Sequence, residues 1–236
     1  MLTVPVVILC GGLGTRLRSE VSDRPKALAP VGEKPFLQLQ IEALRDAGAT
    51  RFVLCVGHMA DHIEAAFGDG SALGVRVEYS RDGEALLGTG GALKRAERWF
   101  DPVAVAVNGD THLAVDLGAL VRAHRAGGAE ATLTLARVPD ASRYGTVEVS
   151  GARVLDFHEK AATGGPGLVN AGAYVLSREL LARVPAGEVV SLERDVFPSA
   201  LLAGARLGAF IVEDAFTDIG TPDDYRAFAR ERAHAS

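Results

Sequence analysis

The residues best suited to chemistry lie in a glycine-rich, cationic segment that directly follows the first apolar run, VPVVIL. The segment reads CGGLGTRLRSEVSDRPKALAPVGEKPF over residues 10–36 and carries Arg16 and Lys26. A glycine-rich turn leaving the first strand of a parallel sheet points free N–H groups outward, and glycine lets the backbone approach an anion closely. The segment therefore predicts a phosphate-binding site.

Two well-known glycine-loop chemistries do not fit this segment. Counted from Gly12 and Gly14, the third glycine of the dinucleotide pattern G-x-G-x-x-G falls on Leu17. The P-loop requires a Gly-Lys-Ser/Thr sequence, which does not follow here. A flexible surface turn with solvated cations is the structural alternative. We favour a triphosphate site, in which backbone N–H groups hold the β- and γ-phosphates, Arg16 binds the departing pyrophosphate bidentately and Lys26 adds a point charge. The residues predicted to contact the nucleotide here are Leu9, Gly11, Gly12, Gly14, Thr15, Arg16 and Lys26.

Two aspartates follow short apolar runs far apart in the chain. Asp110 comes after the run Val103–Val107, through Asn108-Gly109, and Asp218 ends a later apolar stretch. Ligands of open α/β sheets bind at the carboxyl ends of the strands. Mg²⁺ typically takes one or two protein carboxylates, with phosphates and water completing its shell. Asp110 and Asp218 are therefore predicted to share a Mg²⁺ ion, and Asp110 to lie at the nucleotide; strand-end or helix-cap aspartates are the alternative.

Composition limits the class of protein. The 236 residues carry a formal net charge of −5 and are 48% hydrophobic, which predicts a full core and argues against a general nucleic-acid binder. No apolar run approaches the ~18 residues of a membrane-spanning helix. The two cysteines, Cys10 and Cys55, each end an apolar run and are interpreted as buried side chains in a reducing compartment. We therefore expect a cytoplasmic protein. From the charge and the apolar runs, we expect no membrane or nucleic-acid partners.

Apolar runs alternate with amphipathic stretches along the first 138 residues. Strand patterns and helical patterns follow one another, which predicts an α/β fold: a single-domain, Rossmann-like, mostly parallel sheet with helices on both faces. After Val138 the pattern changes, and alternation on both sides of Ser150-Gly151 predicts a hairpin and a small antiparallel elaboration. No linker divides the chain, so residues 1–236 are interpreted as one domain.

The opening segment resembles the signature of the sugar-1-phosphate nucleotidyltransferases, G-G-x-G-T-R-L followed by P-K-x-L-x-P-V and K-P. Further blocks resemble the same family: LGTGGA at 87–92, NGD at 108–110, EK at 159–160, NAG at 170–172 and DIGTP at 218–222. Within the family, CGGLGTRL, LGTGG, RYGTV at 143–147 and the short length are similar to the D-glycero-D-manno-heptose 1-phosphate guanylyltransferases. One departure is Ala161, where the family often has proline.

The resemblance implies that a sugar 1-phosphate attacks the α-phosphorus of a nucleoside triphosphate and releases pyrophosphate, with both as small-molecule partners and a homo-oligomer possible. It implies catalytic roles for Arg16, Lys26, Asp110, Lys160 and Asp218. Glu84, Gly88 and Thr89 are expected at the base or ribose. The residues expected at the sugar phosphate are Gly145, Glu159, Lys160, Asn170 and Gly172. GTP and D-glycero-D-manno-heptose 1-phosphate are the favoured pair.

Other functions remain open from the sequence. Within the same chemistry, the alternatives are guanylyl transfer to mannose 1-phosphate and uridylyl transfer to an amino-sugar phosphate. From a different class, the same scaffold could serve as a non-catalytic regulatory module that binds a nucleotide sugar.

Overall fold

The computed structural model describes residues 2–17, 19–83, 85–159, 165–213 and 216–234. Their strands, in chain order, are β1 Val6–Leu9, β2 Pro30–Val31, β3 Lys34–Pro35, β4 Arg51–Val56, β5 Arg76–Arg81, β6 Val103–Asn108, β7 Thr111–Leu113, β8 Ala131–Val138, β9 Thr146–Ser150, β10 Arg153–His158, β11 Gly167–Ser177, β12 Leu207–Val212 and β13 Phe216–Asp218. Their α-helices are α1 Phe36–Asp46, α2 Ala60–Phe67, α3 Gly88–Arg95, α4 Leu117–Gly127, α5 Arg178–Ala182, α6 Phe197–Leu202 and α7 Pro222–His234. A π-helical turn, Leu192–Val196, leads into α6.

The main sheet has the order β5-β4-β1-β6-β11-β8-β12-β10-β9 among the described residues. The strands β5, β4, β1 and β6 are parallel, whereas β11 runs antiparallel between β6 and β8. The predicted α/β class is confirmed. The antiparallel part is more extensive than the sequence pattern suggested, because β11 enters the centre of the sheet and the predicted hairpin, β9–β10, forms its far edge.

Helices cover both faces of the sheet. One core cluster lies under α1, α2 and α4, and a second lies under α3, α5 and α6. The central strand β1 carries side chains for both, since Val7 faces one cluster while Val6 and Ile8 face the other. Such two-sided burial explains why the strands read as continuous apolar runs. Cys10 and Cys55 are buried, as expected, and both are free thiols.

Register brings three loops together at one edge of the sheet. Leu9 at the end of β1 lies opposite Asn108 at the end of β6 and Cys55 near the end of β4. The N–H of Gly109 donates to the carbonyl of Leu9 at 2.9 Å. The loops after β1 and β6, which carry the signature segment and Asp110, are thereby held side by side.

A third, smaller cluster joins the signature segment to the end of the chain. It is formed by Leu17, Val21, Ala29, Val31, Phe36, Ile219, Tyr225 and Phe228. The short strand β13 pairs with β7, so that Asp218 lies opposite Thr111. Among the described residues, no helix combines the length and the apolarity needed to cross a bilayer.

Candidate active site

The signature segment folds over a cleft of about 360 Å³ at the carboxyl edge of the sheet. Gly14 has φ +58°, and a Cβ at this position would lie 2.9 Å from the Cβ of Lys26, so the turn requires glycine. Next to it, Leu17 is buried and anchors a short 3₁₀ turn, Thr15–Leu17. The predicted residues that line this cleft are Leu9, Gly12, Gly14, Thr15, Arg16, Lys26 and Asp110.

Lys26 and Asp110 form an ion pair inside this cleft. The Nζ of Lys26 donates to Oδ2 of Asp110 at 2.8 Å, and the side chains are 13% and 33% exposed. Partial burial makes such a pair stronger than one on the open surface, since less water screens it. The structure therefore brings a predicted phosphate-binding cation and a predicted metal-binding carboxylate together.

Asp218 reaches the same place from the other end of the chain. The N–H of Ile219 donates to the carbonyl of Asp110 at 2.9 Å, and the N–H of Gly220 donates to Oδ1 of Asp218 at 2.6 Å. Burial and, after it, the charge of Asp110 raise the pKa of Asp218, while Lys26 and Arg16 act in the opposite direction. Asp110, Lys26 and Arg16, the last of them 202 positions earlier in the sequence, thus all lie within electrostatic reach of Asp218.

The donor set suits a hard divalent cation. Carboxylate oxygens are the protein ligands that Mg²⁺ prefers, and one or two of them suffice when phosphates supply further oxygens. Burial and, after it, the charge of Asp110 raise the pKa of Asp218, and a bound cation would oppose both effects by stabilising the ionised carboxylate. Among the described residues, no group of three or more His, Cys, Asp and Glu side chains is arranged to hold a metal.

A second cleft of about 260 Å³ adjoins the first and shares Leu9, Gly12 and Asp110 with it. Gly11, Gly88 and Thr89 also line it. The hydroxyl of Thr89 is already engaged, since it donates to Oε2 of Glu193 at 2.9 Å and accepts from the N–H of Leu192 at 2.7 Å. Position 84, where Glu84 is expected to meet the base, lies outside the described residues.

Asp82 is a carboxylate of this second cleft that the sequence interpretation did not single out. It is 8% exposed, and its Oδ2 accepts a hydrogen bond from the N–H of Leu87 at 3.2 Å. Burial raises its pKa. A usable signal was present, because Asp82 directly follows β5, and Asp110 likewise comes within two residues of the end of a strand.

A third and larger cleft, of about 980 Å³, contains predicted sugar-phosphate residues. Gly145, Glu159 and Asn170 line it, together with an apolar wall that includes Phe157 and Phe197. Lys160, the cation expected at the sugar phosphate, lies outside the described residues. The structure therefore gathers three of the four described sugar-phosphate residues around one cleft, while the position of the Lys160 side chain stays a prediction.

Gly172 lies against Asn108 and Thr111, the residues on either side of the Gly109-Asp110 turn. It has φ +71°, and a Cβ would lie 2.9 Å from Oγ1 of Thr111 and 3.0 Å from Nδ2 of Asn108. Its N–H donates to Oδ1 of Asn170 at 3.0 Å. Glycine is required here by the positive φ and by the close approach to Asn108 and Thr111, which flank the turn that carries Asp110.

A hydrogen-bond network connects the second and third clefts. Asn170 donates to the hydroxyl of Tyr174 at 2.9 Å, and that hydroxyl donates to Oε1 of Glu193 at 3.1 Å. The other oxygen of Glu193 accepts from Thr89. Tyr174 is fully buried, and burial together with Glu193 raises its pKa well above the ordinary value. Glu193 was missed because its local sequence, SLERDVF, reads as an ordinary helix start.

Comparison with known proteins gives matches along nearly the whole chain. A family model described as nucleotidyl transferase matches residues 5–234. The chain is 37% identical to mannose-1-phosphate guanylyltransferase of Mycobacterium tuberculosis over 94% of its own length, and it spans 62% of the length of that relative. It is 38% identical to D-glycero-alpha-D-manno-heptose 1-phosphate guanylyltransferase of Aneurinibacillus thermoaerophilus, with coverage of 97% of this chain and 98% of the relative.

Solved structures show the same architecture. The fold superimposes on the crystal structure of HddC from Yersinia pseudotuberculosis with a TM-score of 0.86 at 31% identity, covering 98% of this chain and 100% of HddC. A second crystal structure of HddC, complexed with GMP-PN, gives a TM-score of 0.85.

Proposed function

The chain belongs to the nucleotidyl transferase family, and from that premise we propose that it transfers a guanylyl group from GTP to a sugar 1-phosphate. The proposed acceptor is D-glycero-D-manno-heptose 1-phosphate, the proposed cofactor is Mg²⁺, and the products are pyrophosphate and a GDP-sugar. The 38% identical heptose 1-phosphate guanylyltransferase, matched over 98% of its length, supports this choice of substrates.

One observation carries the proposal: the signature loop, two cations and two aspartates meet at a single edge of the sheet. Lys26 contacts Asp110, and Asp218 lies close enough to Asp110 for the charge of Asp110 to raise its pKa, after burial. Nucleotidyl transfer needs this combination, because a phosphate monoester is already an adequate nucleophile and no general base is required. The obstacle is the repulsion between two polyanions, and positioning with charge neutralisation removes it.

The roles of the residues follow from their positions. The N–H groups of the glycine loop bind the β- and γ-phosphates, and Arg16 stabilises the negative charge that grows on the departing pyrophosphate. Lys26 exchanges part of its contact with Asp110 for a phosphate oxygen. Asp110 and Asp218 would hold Mg²⁺, which when bound neutralises phosphate charge and polarises the phosphoryl oxygens.

On the sugar side, Glu159 and Asn170 face the large cleft. A carboxylate accepts hydrogen bonds from sugar hydroxyls, and an amide both donates and accepts. Lys160 follows Glu159 directly in the sequence and is proposed to bind the sugar phosphate. Together these residues would fix the 1-phosphate for in-line attack on the α-phosphorus.

A second candidate is guanylyl transfer to mannose 1-phosphate. The 37% identical Mycobacterium tuberculosis enzyme carries that name, although this chain spans only 62% of it. Both candidates use GTP, so the discriminating feature is the acceptor. A cleft of about 980 Å³ leaves room for either sugar.

The proposal is tested by measuring pyrophosphate release with each of four nucleoside triphosphates against heptose 1-phosphate, mannose 1-phosphate and N-acetylglucosamine 1-phosphate. We expect the highest kcat/KM for GTP with heptose 1-phosphate, and loss of turnover when EDTA removes the divalent ion. Asp110→Ala should lower kcat by about 100-fold or more with a much smaller change in GTP affinity. Asp46→Ala, which removes an exposed carboxylate on α1, is the matched control and should behave as wild type.

Two outcomes would reject the proposal in different ways. Release of pyrophosphate only with another nucleotide would overturn the choice of base while retaining the reaction. Binding of GTP without turnover for any sugar phosphate would instead favour a regulatory module.

A further inference from the structure

Asp110 occupies a very short connection. Only Gly109 and Asp110 separate the end of β6 at Asn108 from the start of β7 at Thr111. The backbone is held on two sides, because Gly109 donates to the carbonyl of Leu9 and the carbonyl of Asp110 accepts from Ile219, both at 2.9 Å. The carbonyls of Asn108 and Thr111, on either side of this two-residue turn, both accept hydrogen bonds from a side chain of α1.

Gln40 on α1 satisfies both of them. Its Nε2 donates to the carbonyl of Asn108 at 2.8 Å and to the carbonyl of Thr111 at 2.6 Å. The side chain is 3% exposed, so water does not compete strongly for these bonds. One amide group thus bridges the residue before the Gly109-Asp110 turn and the residue after it.

This arrangement has a cost that an apolar residue would avoid. Oε1 of Gln40 is buried and has no hydrogen-bond partner among the described residues. An unsatisfied buried acceptor typically destabilises a fold by about 1–3 kcal/mol. The neighbours of Gln40 on the buried face of α1 are apolar, namely Phe36, Leu37, Ile41 and Leu44. An apolar residue at position 40 would pack the helix without this cost. The advantage of the amide therefore lies in its two donated hydrogen bonds.

We propose that Gln40 is a positioning residue that fixes the Asn108–Thr111 connection and, through it, the carboxylate of Asp110. The inference rests on the proposed function, since it gives Asp110 a metal to bind. Gln40 does not touch the substrates; it sets where Asp110 stands relative to Lys26 and Asp218. Groups that orient metal ligands in this way commonly contribute about 10- to 100-fold in metal affinity or activity.

The first test measures the connection itself and needs no activity. In Gln40→Met, which keeps the length and apolar stem but lacks donors, amide hydrogen exchange at residues 109–111 should be at least about 10-fold faster. Exchange at Val105, in the middle of β6, should be unchanged. Thr134→Val is the matched control, because it also removes a buried polar atom without a partner, but on β8; it should leave exchange at 109–111 as in wild type.

The second test measures the consequence. In Gln40→Met, the Mg²⁺ concentration for half-maximal activity should rise by about 10-fold and kcat should fall, with the KM for GTP much less affected. Gln40→His, whose ring N–H can replace one of the two donors, should give intermediate values. Should Gln40→Met not fold, Gln40→His against wild type decides on both measurements.

Unchanged exchange at 109–111, or faster exchange with the Mg²⁺ requirement and kcat within about twofold of wild type, would overturn the inference. The same acceleration in Thr134→Val would also overturn it, because the effect would then be global. Failure of the proposed function looks different: wild type itself would release no pyrophosphate, while the exchange measurement would still report whether Gln40 holds the connection.

Discussion

At the level of single residues, Lys26 interacts with both aspartates of the site. Its ammonium group satisfies Asp110 when no phosphate is bound, and it also lowers the pKa of Asp218. Without Lys26, the two partly buried carboxylates would lose the cation that contacts Asp110 and lowers the pKa of Asp218, and their repulsion would be less well offset. The same cation that is proposed to attract phosphate therefore also offsets part of the repulsion between the two aspartates.

A buried histidine away from the site makes stability depend on pH. His124 on α4 is 4% exposed, and its Nδ1 lies 3.0 Å from Oγ1 of Thr132. Burial, with the nearby charge of Arg125, lowers its pKa from 6.5 to about 4. In the unfolded chain the ring takes up a proton as the pH falls through 6.5, whereas in the folded protein it stays neutral until about pH 4. The stability is thus fully present above pH 6.5 and is lost progressively below it.

We therefore expect the free energy of unfolding to fall by roughly 2 kcal/mol between pH 7 and pH 4.5 through His124 alone. Urea denaturation at a series of pH values measures this slope. His124→Asn keeps a polar group near Thr132 but does not titrate, so its slope should be smaller by that amount. His112, whose pKa burial also lowers to about 4, remains in both proteins and cancels in the difference. Equal slopes would contradict the prediction.

At the level of elements, strand-end logic predicted that the glycine-rich loop and Asp110 lie at the same edge of the sheet. The first apolar run predicted β1, and the signature loop and Asp110 follow strands that are in fact neighbours. Gln40 and Glu193 could not be found in this way, because each acts through contacts with elements distant in sequence. The helix α3 begins at Gly88, inside the LGTGGA block, although glycines are poor helix formers and favour a loop locally.

Gly172 lies at an irregularity in the register of β11. Its substitution tests how closely this strand must approach the turn that carries Asp110. Gly172→Ala places a methyl group 2.9 Å from Oγ1 of Thr111 at a residue with φ +71°. Backbone strain alone costs about 1–2 kcal/mol, and the crowding adds to it. We expect the free energy of unfolding, measured by urea denaturation, to fall by more than backbone strain explains. We also expect a lower kcat, since Thr111 adjoins Asp110.

Gly151→Ala is the matched control for this substitution. Gly151 has φ +58° in the turn of the β9–β10 hairpin, and a Cβ there would meet no atom within 4 Å. It imposes similar backbone strain without crowding. Equal losses of stability in the two variants would show that crowding against Thr111 does not contribute to the loss.

At the level of the whole molecule, the sequence predicted the layers but not the order of the strands. The resemblance to the sugar-1-phosphate nucleotidyltransferases is confirmed by the family match and by the superposition on HddC. Nothing in the local pattern of β11 indicates that it inserts between β6 and β8. Its place is set by pairings with strands that lie up to about 70 positions earlier, and such non-local pairing is invisible to periodicity.

The last helix, α7, contacts segments on both sides of the candidate site. The helix α7 packs on the signature segment through Tyr225 and Phe228, and Asp224 pairs with Arg143 at 2.6 Å. Arg143 directly precedes Tyr144 and Gly145, which line the large cleft. One helix therefore contacts both the loop proposed to bind the nucleotide and the segment proposed to bind the sugar.

Phe228→Ala tests whether this third cluster positions Asp218 independently of the main core. The ring of Phe228 is 3% exposed and lies 5.5 Å from that of Phe36 and 5.3 Å from that of His112. Its removal should cost about 3–5 kcal/mol locally, speed amide exchange at residues 216–219 and raise the Mg²⁺ concentration needed for half-maximal activity. Phe100→Ala, in the second cluster on the opposite face of the sheet, should lower global stability by a similar amount without changing the Mg²⁺ requirement of the folded protein. If both variants shift the Mg²⁺ requirement equally, the cluster is only another part of the common core, and the position of Asp218 depends on overall stability rather than on α7.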